Sequence, residues 1–134
     1  MRKLLFSAMI AVLAFVATGC DKDSHPANVQ GTWVHVNVLT GIESNFSISN
    51  SSASKGIPAT INYLRNGQEY SSTKVLVDYD PSSGEGTFVP ETGKAGFAGS
   101  FVAFGDETME LDLYMADNDG DTQLFLKNAL YVLK

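Results

Sequence analysis

From Gly31 onward the apolar positions recur with a period of two. Trp33 to Leu39 sets Val34, Val36 and Val38 on one face and Trp33, His35 and Asn37 on the other. Ser44 to Ser49 carries Phe46 and Ile48 between polar residues, and Ala59 to Leu64 carries Ile61 and Tyr63 on one face. Phe97, Gly99, Phe101 and Ala103 share a face, opposite Ala98, Val102 and Phe104. The cleanest run alternates Met109, Leu111, Leu113 and Met115 with Glu110, Asp112 and Tyr114. Alternation of this kind predicts half-buried antiparallel strands, and no stretch after residue 30 holds a helical period. Further short strands are expected over residues 69–72, 73–80, 85–89, 122–127 and 129–133.

Turn chemistry separates these runs. Asn66-Gly67 is the strongest short hairpin signal, and Pro81-Ser82-Ser83-Gly84, Gly105-Asp106-Glu107 and Asn118-Asp119-Gly120-Asp121 punctuate the rest. The result is about nine short strands joined by tight turns, the mark of an all-β meander. The expected fold of residues 31–134 is one small antiparallel barrel, with a two-sheet sandwich as the alternative. Closure is preferred because it removes edge strands that invite aggregation.

The first residues obey a different pattern. Arg2 and Lys3 precede a run from Leu4 to Ala17 that is apolar except for Ser7, and small residues lead to Cys20. A positive start, a short apolar run and a small-residue exit describe a secretory signal over residues 1–19. The run falls short of the roughly 20 apolar residues that span a bilayer. Ala17-Thr18-Gly19-Cys20 resembles a bacterial lipobox, with Ala17 where that family most often has Leu. The resemblance implies cleavage before Cys20 and lipid acylation of that residue. Several acyl chains at about 0.8 kcal/mol per buried CH2 give a lasting anchor where one chain would not. Asp21 resembles the inner-membrane retention signal of enteric lipoproteins, leaving the outer membrane as the alternative. Residues 20–30 contain one Val and no periodic pattern, so an acylated Cys20 followed by a flexible tether is expected.

Composition then narrows the function. The 134 residues hold one cysteine and a formal charge of −6. A lone cysteine excludes an internal disulfide framework and a Cys-rich zinc site. The acidic balance argues against a nucleic-acid partner, because no basic patch could replace phosphate counterions. Loss of Arg2 and Lys3 with the leader deepens the side-chain charge from −6 to −8.

Gly31-Thr32-Trp33 resembles the G-x-W element that opens lipocalin-like barrels. Val77-Asp78-Tyr79-Asp80 is similar to that family's second motif, with Val where Thr is usual. Arg65, the only arginine after the leader, departs from the family, whose Trp-packing Arg lies near the C-terminus. The resemblance implies a calycin-like barrel and assigns no ligand. If Trp33, His35 and Asn37 face inward, they offer a mixed aromatic and polar lining for a small ligand. Asp117, Asp119 and Asp121 alternate as calcium ligands can, but an EF-hand counted from Asp117 meets Thr122 and Asn128 at its sixth and twelfth positions. The bland alternative is an Asp-Gly hairpin turn. Only His25 and His35 are present, which excludes a His-rich metal site, and no nucleophile elbow accompanies either.

The sequence is therefore read as a non-enzymatic, lipid-anchored bacterial envelope lipoprotein with no cofactor beyond the covalent lipid on Cys20. Two roles follow. One is a barrel that binds a small apolar or amphipathic ligand. The other is an interaction module, such as an envelope inhibitor, immunity or exclusion factor, that turns an acidic surface toward a protein partner.

Overall fold

A computed structural model describes residues 24–134; the leader, Cys20 and Asp21 lie outside the described residues. Eight strands follow in order: β1 (Gly31–Asn37), β2 (Ile42–Ile48), β3 (Ile57–Arg65), β4 (Gln68–Asp80), β5 (Glu85–Pro90), β6 (Gly96–Phe104), β7 (Thr108–Ala116) and β8 (Thr122–Leu133). Each pairs antiparallel with the next, and β8 returns to β1, so the sheet closes into a barrel with simple meander order. The barrel, not the sandwich, is the fold.

The runs at 69–72 and 73–80 are one strand, β4, and those at 122–127 and 129–133 are one strand, β8; bulges, not turns, interrupt these two long strands. In β4 the register shifts as Tyr63 pairs with Ser71 and Leu64 with Glu69, which leaves Tyr70 opposite nothing. In β8 Leu113 pairs with Leu126 and Tyr114 with Leu124, which leaves Phe125 unpaired. A second irregularity in β8 falls near Asn128, whose φ is positive at 51°. The predicted hairpin at Asn66-Gly67 forms as expected, with φ of 54° and 81°, the left-handed pair that a type I′ turn requires.

The inward face of the barrel is apolar apart from Ser44 on β2, which is also fully buried. Trp33, Phe46, Ile61, Val75, Val77, Phe88, Phe97, Met109, Leu111 and Leu113 are fully buried. On β5 and β6 two glycines let two phenyl rings cross the barrel. Gly86 is the register partner of Phe101, and Gly99 of Phe88. A Cβ on Gly86 would lie 2.2 Å from Phe101 Cζ, and one on Gly99 would lie 2.7 Å from Phe88 Cζ. Each ring thus lies over a bare backbone. Phe46 closes the stack, with ring centroids 4.8 Å from Phe88 and 5.8 Å from Phe101.

The seam that closes the barrel is short. Only Trp33 with Leu133 and Val34 with Val132 are paired between β1 and β8. Beyond them the His35 ring continues the contact, with Nδ1 2.9 Å from Leu130 O and the ring stacked on Tyr131 at 5.3 Å.

Residues 24–30 correct the expectation of a free tether up to residue 30. They cross the end of the barrel where β1 begins. Gly105 N–H donates to Ser24 O, His25 Nδ1 sits 2.8 Å from Ala103 O, and Tyr79 Oη donates to Pro26 O at 2.6 Å. Val29 is buried and its carbonyl accepts from Trp33 Nε1 at 2.9 Å. The segment lacks a periodic pattern because it is an irregular strap held by carbonyl contacts, which leave no hydrophobic rhythm in sequence. The folded unit therefore begins by Ser24.

Candidate functional site

The end opposite the strap is a shallow mouth. It forms a depression of about 460 Å³ lined by Tyr63, Arg65, Tyr70, Ser71, Phe97, Met115 and Phe125. That volume falls within the range of small-molecule sites. The two bulges build it. An unpaired bulge residue can be re-aimed away from the strict in-out alternation of a strand. Tyr70 and Phe125 are the residues skipped in β4 and β8, and both turn toward Tyr63. The Tyr63 ring meets Phe125 edge-on at 5.2 Å and Tyr70 edge-on at 6.4 Å. Phe97 forms the floor, 5.7 Å from Phe125 and 6.3 Å from Tyr63. Tyr70 remains 63% exposed and Phe125 38%, so the cluster presents aromatic faces to solvent although its floor is buried.

Arg65 supplies the only charge in this lining, and its guanidinium makes no hydrogen bond or ion pair among the described residues. The contrast with neighbouring grooves is informative. One carries Asp78, Asp80 and Glu85, another Glu91 beside Lys74, and a third Glu85, Glu110 and Asp112. In a strongly acidic chain, the mouth is a charged depression without a carboxylate among the described residues.

Trp33, His35 and Asn37 share one strand face, as read from sequence, but do not converge on one cavity. Trp33 is buried at the strap end, His35 bridges the seam, and Asn37 is exposed. Asn37 Oδ1 instead accepts from Leu39 N–H at 3.1 Å, fixing the β1–β2 turn. The inner wall near His35 also holds Ser44 and Tyr131. Ser44 Oγ donates to Asn62 O at 2.7 Å, and Tyr131 Oη, although fully buried, has no hydrogen-bond partner among the described residues. Burial pushes the Tyr131 phenol well above its usual range, offset in part by the Ser44 hydroxyl beside it.

The Asp117–Asp121 loop has the geometry of a turn. Asp117 Oδ1 accepts from the amides of Asp119 at 2.9 Å and Asp121 at 3.0 Å, and Asp117 N–H donates to Asp121 O. Gly120 takes a φ of 86°. Among the described residues no group of three or more His, Cys, Asp or Glu is placed to hold a metal ion.

A second feature lies outside the barrel. Val36, Leu130 and Val132 point outward along the seam and are each about half exposed, and Val38 and Leu39 at the β1–β2 turn are 84% and 94% exposed. The period-two pattern of Val34, Val36 and Val38 therefore marks an outward apolar face, the reverse of the usual assignment.

No family model matches the chain, and neither a curated protein nor a solved structure matches it.

Proposed function

We propose that the protein is a lipid-anchored, non-enzymatic envelope lipoprotein that holds a small apolar or amphipathic ligand at the mouth of its barrel. The aromatic mouth carries this reading. The barrel axis is filled by Trp33, Phe46, Phe88 and Phe101, whereas the mouth offers unfilled volume beside exposed aromatic rings. Aromatic walls with a few polar groups are the usual make-up of small-ligand sites. The anchor rests on Ala17-Thr18-Gly19-Cys20, and Asp21 favours the inner membrane. Native mass spectrometry of the protein released from envelope tests the ligand. A copurified small molecule that is lost on Phe125→Ala supports the reading, and a wild-type protein free of ligand at every extraction counts against it. Cys20→Ala is expected to abolish acyl labelling and membrane retention.

The outward apolar seam and the exposed Val38-Leu39 turn favour a second reading, an interaction module that engages an envelope protein. The net side-chain charge of −8 would steer a basic partner toward it. Pull-down from envelope extract at low and high salt decides, since steered encounter weakens with ionic strength. Recovery that is absent at both salt concentrations sinks this reading.

A further inference from the structure

We infer that the mouth selects a planar organic anion, an aromatic carboxylate or a group of like shape and charge, through Arg65 at the rim and the exposed rings of Tyr70 and Phe125. This inference rests on the mouth as the ligand site. Three observations lead to it. First, Arg65 is the only charged residue in the lining, and it has no partner among the described residues. A guanidinium is always charged and presents a planar fork that matches a carboxylate with two parallel hydrogen bonds. Second, the flanking rings stand edge-on to one another, with interplanar angles of 76° between Tyr63 and Phe125 and 75° between Phe97 and Phe125. Such a cluster leaves ring faces free, and planar ligands stack on faces. Third, neither Tyr63 Oη, Tyr70 Oη nor Ser71 Oγ is engaged in a hydrogen bond among the described residues, so polar atoms remain for orienting the ligand. A cationic ligand would meet the same aromatic faces but would be repelled by Arg65, and no carboxylate in the lining would compensate.

The test uses the full chain in lipid nanodiscs, with empty nanodiscs as the blank for partitioning. The probes are 6-fluoro-2-naphthoate and its neutral alcohol, 6-fluoro-2-naphthalenemethanol, followed by fluorine NMR. The naphthoate is expected to bind saturably and at least tenfold more tightly than the alcohol, since a hydrogen bond to a charged group is worth more than the 1.4 kcal/mol that a factor of ten requires. Arg65→Met should erase that preference and leave alcohol binding in place, with the melting temperature unchanged because the side chain is exposed. Phe125→Ala should weaken both probes, and Lys55→Met, distant from the mouth, should change neither. Equal binding of acid and alcohol, or a preference that survives Arg65→Met, overturns the anion inference while leaving the mouth as the site. Failure of both probes to bind overturns both. A self-associated state that excludes the naphthoate as protein concentration rises also overturns the inference, because the mouth would then be occupied by a second copy.

Discussion

Gly86→Ala and Gly99→Ala place the same methyl group against different obstacles, and the difference can be measured. At Gly86 the three atoms nearest a new Cβ are the far atoms of the Phe101 ring, at 2.2, 2.5 and 2.7 Å. That ring cannot swing away freely, because it stacks on Tyr79 at 6.1 Å and lies against Phe46 and Phe88. Overpacking of this kind costs about 1–3 kcal/mol. At Gly99 the nearest atom is the backbone oxygen of Asp112, at 2.2 Å, with Phe88 Cζ at 2.7 Å. A ladder carbonyl moves only with its strand, so the cost should reach or pass the top of that range, about 3 kcal/mol. Shortening the opposing ring separates the two cases. Phe101→Leu removes the atoms that obstruct Gly86, so Gly86→Ala should become close to neutral in that background. Phe88→Leu leaves Asp112 O in place, so Gly99→Ala should remain costly. Each leucine variant alone should lose roughly 1–3 kcal/mol, less than the 3–5 kcal/mol typical of Phe→Ala. Guanidinium denaturation of the two double-mutant cycles gives the coupling energies, which should be large for 86/101 and small for 99/88. Glycine variants within about 0.5 kcal/mol of wild type, or equal coupling in both cycles, would refute the packing account.

Three further outcomes follow from the strap, the turn and the phenols. Burial, with the Asp80 carboxylate adding to it, pushes the Tyr79 phenol from 10.0 to about 12, so its contribution to stability is complete below pH 10 and is lost as pH rises toward 12. Tyr131 acts in the same direction. Thermal melts across that window should fall less steeply for Tyr79→Phe than for wild type, and an identical slope would show that the phenol does not titrate with folding. Val29→Ala should cost about 1.5 kcal/mol in denaturant titrations, at ~0.8 kcal/mol for each of the two buried carbons removed, because this strap side chain is fully buried against the barrel; a neutral result would mean that the strap is not part of the cooperative unit. Asp117→Ala should cost about 1 kcal/mol through loss of two amide contacts, and millimolar calcium should leave the wild-type melting temperature unchanged; a calcium-dependent rise would restore the metal reading of Asp117, Asp119 and Asp121.

Much of the barrel is legible in the sequence because a strand exposed to water on one side writes its geometry as alternation. Met109, Leu111 and Leu113 on β7 and Phe97, Phe101 and Ala103 on β6 point inward as their pattern requires. The strap is not legible, since its main restraints are backbone carbonyls that any residue can supply. The mouth is hidden for a different reason. Tyr70 and Phe125 reach it because each is skipped by the ladder, and a skipped residue breaks the parity on which a pattern argument depends. Glu69-Tyr70-Ser71 and Leu124-Phe125-Leu126 give no local sign of the bulge. Arg65 could be singled out as the lone arginine beyond the leader, but its neighbours at the mouth become visible only once β3, β4, β6 and β8 are assembled.

The short β1–β8 seam also orders events in time. Every other ladder joins strands adjacent in sequence and can form as a hairpin, whereas the seam brings together residues from opposite ends of the domain. Closing so large a loop carries the greatest entropy cost of any pairing in the molecule and delays it. A chain emerging N-terminus first must therefore hold β1 with its far edge open until Val132 and Leu133 appear. Lys134 N–H, which donates to Thr32 O at 2.9 Å, adds the final clasp, so loss of a few C-terminal residues would leave an open sheet in place of a cylinder.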